Sequence, residues 1–142
     1  MVGIGVIILD QVTKFFILAY PSFYRTGEFF ELFLTKNEGI AFSIPLSGTL
    51  LYVILIIVVG LAIYYGRSHL QLHAPLTGIV LGLIAGGGIG NIIDRIRLGY
   101  VADFIKLGNW PMFNIADAAI TTGAILALLY HRRITIPAHK SA

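Results

Sequence analysis

Apolar runs long enough to cross a bilayer leave this chain few ways to fold. Residues 48–65 carry no charge over 18 positions. About 18 to 20 helical residues at ~1.5 Å each, with their flanks, cross roughly 30 Å of hydrocarbon. Residues 1–20, 75–93 and 113–130 form three more runs of the same character. Backbone in lipid must satisfy its own hydrogen bonds, so such runs are expected to be helices. Composition agrees, with 57% of residues hydrophobic and only 12% charged, about half the charge of a soluble domain at ~25%. The expected fold class is an all-α integral membrane protein of one domain, residues 1–142, with four transmembrane helices.

Between the runs lie two longer loops, 21–47 and 96–112, and a tail, 131–142. Four spans put both loops on one face and both termini on the other. In the first loop, Glu28-Phe29-Phe30-Glu31-Leu32-Phe33-Leu34-Thr35 is rich in β-favouring residues and alternates Phe30, Leu32 and Leu34 to one side. It is expected to form one or two short strands, a small β platform at the membrane surface. Charge leaves the orientation open. The termini side holds Arg67, Arg132, Arg133 and Lys140, against Arg25, Lys36, Arg97 and Lys106 on the other, with Arg95 at its edge. The net charge of +3 is small and scattered, which excludes a nucleic-acid footprint. With no cysteine, disulfides, thiolate catalysis and cysteine metal sites are excluded together.

Ionisable residues inside apolar runs are costly and point to function. Asp10 and Lys14 are four apart, hence on one helix face and able to pair, and such a pair must face protein rather than lipid. Their presence in mid-run also favours a retained span over a cleaved leader. The third run carries Gly78, Gly82, Gly86 and Gly90 in one row, a stripe that lets another helix approach closely. The same spacing continues to Asp94, with Gly87, Asn91 and Arg95 in a parallel row. Helix packing explains the glycines but not Asn91, Asp94 and Arg95.

Asp103 sits in the second loop and Asp117 about one turn inside the fourth run, ~6 Å along the axis. Either alone could be a helix cap. Because the third run ends and the fourth begins on the same face, the two can meet. Two carboxylates sharing a site cannot both ionise, which leaves one base to activate water and one acid to protonate a carbonyl or a leaving amine. Other chemistries fit less well. His69 and His73 are four apart but lack an intervening Glu and lie at the opposite face from the aspartates, so no metal site is expected. Ser47-Gly48 lacks the preceding glycine of a rhomboid-like motif, and Gly88-Ile89-Gly90-Asn91 has Asn where a presenilin-type protease needs Asp.

Five blocks in this order and spacing resemble the bacterial lipoprotein signal peptidases, signal peptidase II. They are Asp10-Gln11-Val12-Thr13-Lys14, Asn37-Glu38-Gly39-Ile40-Ala41-Phe42, Gly90-Asn91-Ile92-Ile93-Asp94-Arg95, Gly99-Tyr100-Val101-Ala102-Asp103-Phe104 and Phe113-Asn114-Ile115-Ala116-Asp117. Ala102 stands where that family usually has Val. The resemblance implies an aspartic endopeptidase that cuts prolipoprotein signal peptides before a diacylglyceryl-modified cysteine. It makes Asp103 and Asp117 the catalytic pair, with no cofactor. It puts Asp10, Lys14, Asn37, Gly39, Asn91, Asp94, Arg95 and Asn114 in supporting or substrate-contacting roles. It further implies the bacterial inner membrane, cytoplasmic termini, an active site near the outer face, contact with membrane lipids, and inhibitors of the globomycin type. The alternative from another class is a small proton-coupled transporter using the same carboxylates as a relay, although the first half does not echo the second.

Overall fold

The computed structural model describes residues 1–20, 27, 29–39, 70–71 and 73–135, residue 132 by its backbone alone. In chain order the elements are α1 (Val2–Ala19), β1 (Phe30–Asn37), α2 (Pro75–Leu98), β2 (Val101–Leu107), α3 (Ile115–Leu129) and the single turn α4 (His131–Ile134). Local signals set the boundaries. Pro75 opens α2 in the first turn, where its missing N–H leaves no bond unmade. Gly99 closes α2 in a left-handed conformation, φ 82°, that turns the chain directly into β2. Arg95 and Arg97 in the last turn complement the helix dipole. Asn114 and Asp117 form a reciprocal capping box that starts α3.

The helix α2 lies between α1 and α3 and packs against both. Gly86 and Gly90 make the α1 contact possible. A Cβ on Gly86 would stand 2.6 Å from the Gly3 carbonyl oxygen, and one on Gly90 would stand 2.6 Å from Asp10 Oδ2. Gly87, on the neighbouring row, meets Ala116 and Ile120 of α3 instead. The two rows thus serve two helices, while Gly78 has no described atom within 4 Å.

The polarity of α1 is inverted relative to a soluble helix. Its buried residues are Asp10 and Lys14, whereas Ile4, Ile8, Leu9, Val12, Phe15 and Phe16 are exposed among the described residues. A helix in water hides its apolar stripe. A helix in lipid hides its charges.

The first, third and fourth expected spans are helices. Two of them, α1 and α2, are long and apolar enough to cross a membrane, while α3 is apolar but shorter at 15 residues. The expected second span, 48–65, lies outside the described residues, as do Ile40, Ala41 and Phe42 of the loop motif, Ser47, His69 and residues 136–142. The loop expected at 96–112 needs refinement: α2 continues through Leu98, and Val101–Leu107 is a strand. This β2 pairs antiparallel with β1, Phe30 opposite Leu107, Thr35 opposite Asp103 and Asn37 opposite Val101. A register shift between Leu32 and Thr35 breaks the alternation expected of Phe30, Leu32 and Leu34, and all of Glu31 to Thr35 are half-buried. The start of the tail is also tied down, because Gln71 donates from its backbone to Ile134 and from Nε2 to the Thr135 carbonyl.

Close approach at Gly90 should be intolerant of any side chain. Gly90→Ala is expected to destabilise the protein by about 1–3 kcal/mol, as overpacking does. Gly88→Ala, with no described atom within 4 Å, should be neutral or slightly stabilising. Thermal unfolding in detergent separates the two, and equal effects would contradict the packing described.

Candidate active site

One ammonium group organises the buried polar centre. Lys14 is 1% exposed and Asp10 fully buried. Lys14 Nζ lies 2.8 Å from Asp10 Oδ2 and 2.8 Å from Asp94 Oδ2, and it donates to Asn91 Oδ1 at 3.1 Å. A lysine has three donors, and all three are used. Gln11 Nε2 donates to Asp94 Oδ1 at 3.0 Å, to Asp10 Oδ2 at 3.2 Å and to the Gly90 carbonyl. Arg97 donates in turn to Gln11 Oε1. Each carboxylate also takes one backbone amide from a neighbouring element. Asp94 Oδ2 accepts from Ala102 N–H at 3.1 Å, and Asp10 Oδ1 accepts from Ala116 N–H at 2.9 Å. These amides belong to the residues just before Asp103 and Asp117.

Asp103 projects from β2 and Asp117 from the first turn of α3, and two asparagines bring them together. Asn114 Nδ2 donates to Asp103 Oδ1 at 2.7 Å and to Asn91 Oδ1 at 3.2 Å. Asn91 Nδ2 donates to Asp117 Oδ1 at 2.8 Å. The capping box supplies the rest: Asn114 N–H donates to Asp117 Oδ2, and Asp117 N–H donates to Asn114 Oδ1. Asp117 is thus both a cap and a member of the pair, so its two possible readings are compatible. On the far side of Asp103, Asn37 Nδ2 donates to Oδ2 at 2.9 Å. Asn37 is itself held by the Gly39 N–H on its Oδ1, and Gly39 is held by Arg95 Nη2 on its carbonyl at 2.9 Å.

Burial pushes the Asp103 carboxyl up to about 6 from an ordinary 3.8. Donation from Asn37 acts against this, the charge of Asp117 adds to it, and donation from Asn114 and the charge of Lys14 oppose it. A carboxyl of this kind keeps its proton well above the range of a solvated aspartate, as a shared-proton pair requires.

The structure therefore gathers Asp10, Lys14, Asn37, Gly39, Asn91, Asp94, Arg95, Asp103, Asn114 and Asp117 into one connected network. Every residue expected at the site is a member. Further members were not expected, Arg97 and the Gly90 carbonyl among them, both joined through Gln11. Ala102 and Ala116 enter through their backbone alone, which carries no side-chain signal. Gln11 stands inside the first motif, and that position was the available clue. Of the histidine pair, His73 lies in the turn before α2. Among the described residues no group of three or more His, Cys, Asp or Glu is placed to hold a metal ion.

The model of the family described as signal peptidase (SPase) II matches residues 2–133. The chain belongs to the signal peptidase II family. It is 43% identical over 130 residues to a lipoprotein signal peptidase of Syntrophomonas wolfei, covering 87% of this chain and 85% of that one. It is 37% identical to a lipoprotein signal peptidase of Chlorobaculum tepidum, covering 98% and 96%. Two solved structures described as bacterial membrane enzymes are also similar. One has a TM-score of 0.78 at 29% identity over 93% of this chain and 85% of that one, and the other 0.77 at 29% over 99% and 92%. This signal peptidase II chain is therefore a peptidase and a membrane protein, and the matches favour that reading over a transporter.

Removing Lys14 alone strands two buried carboxylates. Lys14→Met should cost about 3–5 kcal/mol, more than Lys14→Met/Asp94→Asn, which removes one charge of each sign. In the double variant, the amide oxygen replacing the Asp94 carboxylate would still offer Ala102 N–H an acceptor. Thermal unfolding of the two variants in detergent tests this, and a double variant no more stable than the single would contradict it.

Proposed function

We propose that the chain is an aspartic endopeptidase of the bacterial inner membrane. It cleaves prolipoprotein signal peptides on the N-terminal side of a diacylglyceryl-modified cysteine. The observation that carries the reading is the convergence of Asp103 and Asp117, from separate elements, on the linked amides of Asn91 and Asn114. In the reaction, the ionised member of the pair takes a proton from water as its oxygen attacks the scissile carbonyl carbon. The protonated member donates to the carbonyl oxygen, giving a neutral tetrahedral diol. Collapse of the diol breaks the C–N bond: the leaving amine takes a proton from the protonated member while a diol hydroxyl gives its proton to the ionised member, which leaves a carboxylic acid and restores the singly protonated pair. The two proton affinities belong to the pair rather than to either residue.

The remaining parts of the reading rest on the likeness of the chain to the signal peptidase II family. Four spans, including residues 48–65, form one domain with both termini in the cytoplasm and the pair near the outer face. The lipid chains of the substrate lie between helices in the bilayer, and the two-stranded sheet holds the extended peptide beside the pair. Globomycin-type inhibitors would compete for the same place. The two carboxyl groups relay every proton that the reaction moves.

Incubation with a lipidated prolipoprotein should shorten it on a gel. Asp103→Asn and Asp117→Asn should each reduce cleavage to background without loss of folding, and the double variant should cost little more, since the two act as a unit. Substantial cleavage by either single variant would remove that residue from the pair.

The pH profile supplies an independent check. A pair active only while singly protonated gives a bell-shaped profile. In kcat/KM, which reports the free enzyme, the alkaline limb of the pair should lie well above the ordinary 3.8, because burial and the charge of Asp117 both raise Asp103. A substrate that excludes water should push the limb in kcat higher still. Asn37 favours the charged form of Asp103, so Asn37→Leu should move the limb upward. A rate rising steadily through pH 9 would rule out a shared proton.

A further inference from the structure

We infer that Lys14 is a positioning residue for the reaction, setting the orientation of the Asn91 amide and, through it, the placement of Asp117 against Asp103. The inference rests on the proposed peptidase reading and deepens it. Asn91 is an amide between two charges of opposite sign. Its Oδ1 accepts from Lys14 Nζ at 3.1 Å, and its Nδ2 donates to Asp117 Oδ1 at 2.8 Å. Flipping the amide would set its NH2 against the ammonium and its oxygen against a carboxylate. Both contacts would become repulsive, so the ammonium locks one of the two amide states.

Asn114 reinforces the lock. Its Nδ2 donates to the same Asn91 oxygen and to Asp103 Oδ1, so the chosen state of Asn91 also fixes how the two aspartates face each other. The other two contacts of Lys14 act on the backbone. Asp94 holds the amide before Asp103, and Asp10 holds the amide before Asp117. Every acceptor of the ammonium therefore ends within one residue of the pair, or on it. A lysine needed only to stabilise the fold would have no reason to direct its third donor to the side chain that bonds Asp117.

Charged groups surround the pair from each element packed against it. They are Asp10 and Lys14 on α1, Asp94 and Arg95 on α2, and Asp103 and Asp117 themselves on β2 and α3, while Lys36 on β1 is exposed and lies over the Tyr100 ring. Among them the charge of Lys14 draws the proton affinity of Asp103 down, so its removal should leave the pair holding its proton to higher pH.

The test uses the full-length protein in detergent with a lipidated prolipoprotein. Because Lys14→Met alone is expected to fold poorly, the informative variant is Lys14→Met/Asp94→Asn, assayed per molecule of folded enzyme. The expected result is a fall in kcat of tenfold or more with KM within about twofold, since a small misplacement of catalytic groups costs at least about tenfold in rate. The alkaline limb should also move to higher pH. Wild-type kcat with an unmoved limb would overturn the inference, as would a loss confined to KM or to the yield of folded protein. Failure of the wild-type protein to cleave the substrate would instead overturn the peptidase reading.

Discussion

A single buried ammonium, Lys14, holds together the parts on which the rest of the structure depends. Its three donors reach α1 itself through Asp10 and α2 through Asp94 and Asn91. The two carboxylates then reach on to β2 and α3 through backbone amides. Four elements thus meet at one charge. Such a centre would be unfavourable in most interiors, because desolvating three charges outweighs their mutual attraction unless every remaining donor and acceptor is satisfied. Here each oxygen of both carboxylates and each proton of the ammonium has a partner. The cost is compatible with folding because the alternative environment is hydrocarbon, where an unpaired charge would be worse still.

The same solvent explains the arrangement of the helices. With lipid outside, apolar side chains gain little by turning inward, so close backbone approach and polar contacts decide which faces meet. On α2 the rows of glycine and polar residues do both. Gly86 brings α1 close enough for contact with Gly3, and one turn further Gly90 leaves room for the Asp10 carboxylate. Where the glycines end, Asn91, Asp94 and Arg95 begin, and the packing face becomes the face of the site. Asp117 combines two roles in the same way, since the box that starts α3 also fixes the carboxylate in the pair.

Much of this was legible in the sequence because lipid makes charged residues conspicuous. Asp10 and Lys14 stood out by their spacing in an apolar run, and Asp103 and Asp117 by their positions at the ends of neighbouring runs. The strand at Val101–Leu107 was not legible. Its first four residues are all buried, so the alternation that marks a half-exposed strand is missing. In β1 the register shift between Leu32 and Thr35 spoiled an alternation that the residues do show. That Asp94 would be the second carboxylate on Lys14 could not be read from either motif alone, because the two lie on different helices. The amides of Ala102 and Ala116 were invisible for a simpler reason, as backbone donors have no sequence signature.

Cleavage of a lipidated prolipoprotein by an aspartate pair, with no covalent nucleophile, is tested most directly by following the oxygen of the attacking water. Single-turnover cleavage is run in H2 18O with hydroxylamine present, and the released signal peptide is read by mass spectrometry. Direct attack by activated water predicts a peptide ending immediately before the modified cysteine, with one 18O atom in its new carboxylate and no hydroxamate. A hydroxamate product would reveal an acyl-enzyme and contradict the account, as would a cut at any other bond.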